Sequence, residues 1–205
     1  WRALASGRPH GSHTAFAVPE REFDKLTDTV HGAGIACVAE WSPRQFDPGL
    51  IEISWRRTLT CDRVADPGNA GTLIRTAAAL GLDAVFLTPG TAELGNPKTI
   101  RAAAGAAFQI PVFEHAAPAS LLDWSRRAKQ TIVVADAHRG KSALRQYSSW
   151  MLVIGGETLP LDSAWDKAET QWISLPLKRG VESLNAAVAG AIIMDRLCRA
   201  TDGKP

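Results

Sequence analysis

The chain is predicted to fold as an α/β protein in which a mostly parallel sheet is flanked by helices. Two observations carry that expectation. From Arg57 onward, short runs rich in Val, Ile, Leu and Phe alternate with segments of helical patterning, the alternation expected of parallel strands joined through crossover helices. The apolar runs also show little polar alternation, as strands covered on both faces do.

Taken in order, the strand candidates are 59–64, 83–88, 110–113, 131–135, 151–154 and 171–175, and the segments 70–81, 97–107, 118–129 and 183–199 are patterned as helices. In the first helix Ala70, Leu73, Ile74, Ala77, Ala78 and Gly81 recur at i, i+3, i+4, i+7, i+8 and i+11, a stripe that would face the sheet. Arg75 falls on the opposite side, and Asn69 stands where an N-cap is expected. Residues 1–57 read differently. They hold His10-Gly11-Ser12-His13, a helix from Pro19 to about Thr29, a strand-like segment 34–39, and a loop from Ser42 to Gly49 marked by Pro43, Pro48 and Gly49. A domain boundary is therefore placed near residue 57, with residues 1–57 as one unit and 58–205 as the other.

With 205 residues, 45% hydrophobic and 21% charged, the chain suits a soluble globular protein of one generous domain, or one domain plus a smaller unit. A formal charge of +2 is only mildly basic, so nucleic-acid binding would have to come from local patches. The candidates are Arg56-Arg57 with Arg63, Arg126-Arg127 with Lys129, Arg139-Lys141-Arg145, and Lys178-Arg179; each pair alone reads as solvated surface. Cys37, Cys61 and Cys198 are far apart and in no metal-type spacing. Cys61 and Cys198 sit in apolar patterns as small buried hydrophobes, which fits a reducing, cytoplasmic compartment. No secretory signal opens the chain, and the nearly apolar run from Leu184 to Met194 is far short of the roughly 20 residues that span a bilayer, so no membrane partner is expected. The chain opens on Trp1 rather than Met, consistent with a natural start further upstream. Gly32-Ala33-Gly34 lacks the third glycine of a dinucleotide fingerprint, and no Walker or Gly-x-Ser-x-Gly motif occurs. His10 and His13 lack neighbouring cysteines or acids, so no metal is expected.

Three separated segments each deliver polar groups where a predicted strand ends, the place where open α/β sheets bind ligands. The first, Asp66-Pro67-Gly68-Asn69-Ala70-Gly71-Thr72-Leu73-Ile74-Arg75, is a turn feeding a helix. Alone it reads as an N-capped helix with an exposed arginine. The second, Val153-Ile154-Gly155-Gly156-Glu157, ends a buried strand with two glycines that permit close backbone approach; alone it is a strand-end turn. The third, Ser183-Leu184-Asn185, opens the last helix. Ser183 is placed to cap it, and Asn185 is expected to be buried by the apolar run that follows and so to need a hydrogen-bond partner.

Together, in this order, the segments resemble the three motifs of the SpoU/TrmH family of RNA ribose methyltransferases, roughly D-P-x-N-x-G-x-x-x-R, G-x-E and S-L-N. The matching residues here are Asn69 and Arg75, then Gly155 and Glu157, then Ser183, Leu184 and Asn185. Lys98-Thr99-Ile100-Arg101-Ala102-Ala103-Ala104-Gly105-Ala106 looks like the family's helix between motifs, and the resemblance covers about residues 58–199. Leu26-Thr27 and the segment 32–39 look like the end of the small α/β RNA-binding domain that often precedes the catalytic one. One departure stands out. Thr158-Leu159-Pro160-Leu161 follows the glutamate where the family has a Gly-x-Gly-Leu type turn, and Gly156 replaces an asparagine or serine.

The resemblance implies a C-terminal trefoil knot, a rare exception to ordinary topology. It implies S-adenosylmethionine as methyl donor, transfer to a ribose 2′-hydroxyl of tRNA or rRNA, and a homodimer formed through the last helix. Arg75 would bind the phosphate beside the reacting hydroxyl; a guanidinium holds its proton too firmly to be a good base. Asn69, Glu157, Ser183 and Asn185 would hold Arg75 and the RNA in place. Leu87, Thr88, Pro89, Gly155, Glu157, Ile173, Leu175, Ser183 and Leu184 would cradle the cofactor. Two other readings stay open: a catalytically weak RNA-binding protein that kept the fold, and an unrelated nucleotide-binding Rossmann-like enzyme.

Overall fold

The computed structural model describes residues 16–25, 34–37, 42–140 and 145–203. The chain divides into two compact units, Trp1–Trp41 and Ser42–Pro205. In the first, helix α1 (Glu20–Phe23) falls inside the expected helix from Pro19, whose later part lies outside the described residues, as do His10, His13 and Leu26-Thr27. Of the expected strand 34–39, residues 34–37 are not in a sheet, and 38–39 lie outside the described residues.

The second unit is a seven-stranded parallel sheet built from β1 (Arg44–Gln45), β2 (Arg57–Asp62), β3 (Ala84–Leu87), β4 (Val112–Glu114), β5 (Thr131–Ala135), β6 (Trp150–Gly155) and β7 (Thr170–Ile173), in the order β1-β4-β3-β2-β6-β5-β7. Every pairing is parallel. Helices α2 (Pro67–Ala79), α3 (Pro97–Ala103), α4 (Pro118–Arg127) and α5 (Ala186–Asp202) complete it. The strand period of two divides the core cleanly. Leu59, Cys61, Val85, Leu87, Leu152 and Ile154 point to one face, where they meet Leu73 and Ile74 of α2 and Ile193, Met194 and Leu197 of α5. Phe86, Ile132, Val134, Met151 and Val153 point to the other, against Leu121 and Trp124 of α4 and Trp165.

The boundary near residue 57 is corrected to between Trp41 and Ser42. The expected loop 42–49 contains β1, which pairs Arg44 with Phe113 and Gln45 with Glu114. Phe46 packs edge-on to Phe86 with ring centroids 5.2 Å apart, and Trp55 lies 5.9 Å from Phe113. These aromatics close the second core, so residues 42–57 belong to the sheet unit rather than to a linker. The expected helix 97–107 stops at Ala103, because Ala104 and Gly105 both take left-handed backbone conformations (φ 47° and 81°) and a short 3-10 turn, Ala106–Phe108, follows.

Two cap assignments also change. The N-cap of α2 is Asp66, whose side chain accepts from the Asn69 amide at 2.8 Å. Pro67 at the first helical position needs no hydrogen-bond acceptor, which makes the residue before it the natural cap and leaves the Asn69 side chain free. The N-cap of α5 is Asn185, not Ser183; its Oδ1 accepts from the amides of Ala187 (3.0 Å) and Val188 (3.2 Å). Within α5, Gly190 lets the helix lie directly on α2: a Cβ there would fall 2.4 Å from Leu73 Cδ2.

Candidate functional site

β2 is flanked by β3 on one side and β6 on the other, so the strand order reverses here and leaves a crevice beyond the carboxyl ends of the strands. Asp62 at the end of β2 is level with Gly155 at the end of β6. All three motif segments converge around this crevice. The Glu157 Oε1 accepts from Asn69 Nδ2 (3.2 Å), Asn185 Nδ2 (3.0 Å) and the Ala186 amide (3.2 Å). Asn185 Nδ2 also donates to Asn69 Oδ1 at 2.9 Å. The carboxylate thus sits at the N-terminus of α5, where the helix dipole favours negative charge. Asp66 stabilises the neighbouring turn: its carboxyl is held below the usual range, first by the Asn69 amide and also by Lys98 3.2 Å away.

Asn185 was expected to be buried, yet it is exposed, because it caps α5 before the helix enters the core. Its hydrogen-bond partners are nonetheless residues of the other two motifs. Gly156 is explained by proximity. A Cβ at that position would lie 2.1 Å from the Arg63 carbonyl oxygen, closer than any side chain can sit, so the asparagine or serine of the family pattern would require this crossing to open.

Beside this network lies a cavity of about 380 Å³. Its walls come from the ends of β5 (Ala135 to Arg139), β6 (Ile154 to Leu161) and β7 (Ile173 to Leu177), and from Ser183, Leu184 and the α5 residues Ala186, Ala189 and Ile193. Of the residues expected to hold a cofactor, Gly155, Glu157, Ile173, Leu175, Ser183 and Leu184 line it, while Leu87, Thr88 and Pro89 do not. Leu87 ends β3 and the other two follow it, and β2 stands between β3 and β6, the nearest strand that lines the cavity; Thr88 instead donates to the buried Asp62 carboxylate at 2.8 Å.

The segment that takes their place, Asp136 to Arg139 after β5, was missed. It satisfies the same rule of strand ends, but only the sheet order shows that β5, not β3, borders the cavity. Burial would raise the Asp136 carboxyl, but the amides of His138 and Arg139 and the Arg139 guanidinium outweigh it and hold the group below the usual range. Arg139 also bonds Asp166 at 2.6 Å and lies over the Trp172 ring, 3.9 Å from its centroid.

Arg75 projects from the exposed side of α2, as its place opposite the apolar stripe requires. It is not part of the Asn69–Glu157–Asn185 network and does not line the cavity. The step from Asn69 to Arg75 is about 9 Å along the helix and about 240° around it, so the two cannot share a face. Several expected basic patches are neutralised: Arg57 pairs with Asp202, Arg63 with Asp162, Arg126 with Asp123, and Arg139 with two aspartates. Among the described residues, Arg75, Arg101, Lys178 and Arg179 make no ion pair. No group of three His, Cys, Asp or Glu among the described residues is arranged to hold a metal, and no described helix is long and apolar enough to cross a membrane.

Known proteins resemble this chain in sequence and in fold. The chain is 35% identical over 184 residues to the 23S rRNA (guanosine(2553)-2′-O)-methyltransferase of Bacillus subtilis (strain 168), matching 89% of this chain and 71% of that one. It is 32% identical over 140 residues to a 23S rRNA (uridine(2479)-2′-O)-methyltransferase of Streptomyces viridochromogenes, matching 65% of this chain and 49% of that one. The chain therefore spans about half the length of the second relative. The crystal structure of the SpoU methyltransferase AviRb from Streptomyces viridochromogenes in complex with AdoMet superposes with a TM-score of 0.69 at 28% identity, over 80% of this chain and 67% of that one. The SpoU rRNA methylase family model matches residues 56–195, a span that takes in the sheet from β2 to β7, the cavity and all three converging segments; the chain belongs to this family.

Proposed function

We propose that this chain transfers the methyl group of S-adenosylmethionine to a ribose 2′-hydroxyl of RNA, with ribosomal RNA the class its named relatives favour. The observation that carries the reading is the junction of three distant motifs on one carboxylate, at the mouth of a cavity of about 380 Å³. That volume lies within the range of small-molecule sites. The residues present fit the donor: Ile154, Leu161, Ile173, Leu175 and Ile193 offer apolar walls for a flat base, and backbone groups at three strand ends offer polar contacts. When bound, the donor supplies an electrophilic methyl on a sulfonium. The protein's part is to place the hydroxyl in line with it. Glu157, Asn69 and Asn185 set the shape of the mouth, and Arg75 holds the phosphate next to the reacting ribose. Calorimetry on the full natural chain should show binding of S-adenosylmethionine; no binding at millimolar ligand would overturn this reading and favour an RNA-binding protein that kept only the fold.

The same reading includes a homodimer through α5. The small residues Ala186, Ala187 and Gly190 are buried within their own chain. What supports pairing is the outer face, where Val188 is 49% exposed and Ala191 and Ile192 are half-buried. A partner would supply groups to Arg75, which makes no ion pair among the described residues. Light scattering should give about twice the 22.0 kDa chain mass, and Val188→Arg should return it to the single-chain value; a wild-type mass of one chain at micromolar concentration would refute the dimer.

The knot, the cytoplasmic location and the N-terminal RNA-binding remnant belong to the same reading. The first rests on the family to which the chain belongs. The second is supported by Cys61 and Cys198 serving as buried side chains, with burial pushing the Cys61 thiol up to about 12. The third rests on the α1 helix.

A further inference from the structure

The segment that departs most from the family pattern, Thr158 to Leu161, is also a wall of the cavity, through Leu159, Pro160 and Leu161. Pro160 fixes one backbone angle of the segment, but no backbone hydrogen bond joins its residues to one another. Both of its ends, however, are tied to two consecutive residues at the end of β2. The Asp62 carbonyl accepts from the Gly156 amide at 3.0 Å, and the Gly156 backbone lies directly against Arg63. At the other end, Asp62 Oδ2 accepts from the Asp162 amide (2.7 Å) and from the Trp165 indole N–H (2.9 Å). Arg63 then donates to the Pro160 carbonyl (3.1 Å) and to the Asp162 carboxylate (2.7 Å).

Asp62 is 1% exposed and Trp165 is fully buried. The carboxylate is satisfied by a hydroxyl, an amide and an indole, with no cation directly upon it. Burying a charge is costly even when it is hydrogen-bonded, and an apolar side chain would fill a position at the end of a buried strand at lower cost. What the carboxylate provides and an apolar group cannot is direction: it draws the Asp162 amide at the end of the loop and the Trp165 indole of the turn that follows to one oxygen. Arg63, which takes a left-handed backbone conformation (φ 56°), carries the second tie.

We propose that Asp62, Arg63 and Trp165 form a latch of positioning residues that fixes the loop 156–162 against β2. The latch replaces the compact glycine turn of the family pattern, and it sets the affinity of the cavity for its ligand. The proposal rests on the cavity being the S-adenosylmethionine site.

The test uses the full chain and S-adenosylhomocysteine as an unreactive probe. Trp165→Phe keeps the ring in the core but removes the bond to Asp62. Trp124→Phe makes the same change in the same core, where the indole N–H has no hydrogen-bond partner. Arg63→Met removes the second tie from a partly exposed position. The latch predicts that Trp165→Phe and Arg63→Met each weaken probe binding about tenfold and speed amide exchange across 156–162, whereas Trp124→Phe changes neither. A merely structural role for Trp165 predicts equal effects at Trp124 and Trp165, and that result would overturn the proposal, as would wild-type binding and loop exchange in both latch variants. If the wild-type chain does not bind the probe, the cofactor reading falls on its own. The exchange contrast among the three variants then still supports or overturns the latch.

Discussion

Arg75→Ala should reduce methyl transfer by at least about 10²-fold, the scale of misplacing a reacting group that is no longer held. It should do so with little change in fold or cofactor affinity. Arg75 is exposed on α2 and makes no ion pair among the described residues, so removing it should shift stability by no more than about 0.5 kcal/mol. It also stands outside the cavity lining, so calorimetry with S-adenosylmethionine should give the wild-type constant. Single-turnover assays on ribosomal RNA would separate the two effects. Near-wild-type turnover would show that the phosphate-binding role is misassigned. A parallel loss of cofactor affinity would show instead that Arg75 reaches the cavity.

Glu157→Ala should damage both the site and the fold. One oxygen of Glu157 collects the side-chain amides of Asn69 and Asn185 and the first amide of α5. Without it, Asn69 and Asn185 keep their mutual bond and Asn185 keeps its cap bonds to Ala187 and Val188, but the carboxylate no longer fastens the end of β6 to α2 and α5. Because the group is exposed, water can replace part of what is lost. The expected destabilisation is therefore about 1–2 kcal/mol, seen as a lower denaturant midpoint. Methyl transfer should fall by about 10²-fold or more. Glu157→Gln should recover most of the stability, since its amide oxygen can still accept, and only part of the activity. Wild-type activity in Glu157→Ala would remove the network from the proposed mechanism.

Much of this architecture was legible before any coordinates. The β5 prediction coincides with the strand, and β2, β3, β4, β6 and β7 are displaced by only one or two residues at their ends. Legibility was high because strands buried on both faces must be apolar throughout, a local property. The α2 stripe was readable for the same reason, and it placed Arg75 outward. The caps were harder. Asp66 and Asn69 are both good capping residues, and Pro67, which decides between them through its missing N–H, was passed over. β1 was hidden because its two residues lie among loop markers, and its existence depends on Phe113 and Glu114, far along the chain.

The sequence by itself determined the class of fold, the residues of the three motifs and the family to which they point, because helical stripes, buried strands and motif spacing are written in the local order of residues. Tertiary structure alone decided which strand ends meet. The order β1-β4-β3-β2-β6-β5-β7 sends residues 87–89 to one side of the switch point and brings residues 135–139 to the cavity. It gathers Asn69, Glu157 and Asn185 around one oxygen while leaving Arg75 apart, and it buries Asp62 under a loop one hundred residues later. In a parallel sheet each strand's neighbours are chosen by crossover connections and by packing summed over the whole core. No single segment carries that information, so the partners of a side chain at a strand end appear only when the sheet is assembled.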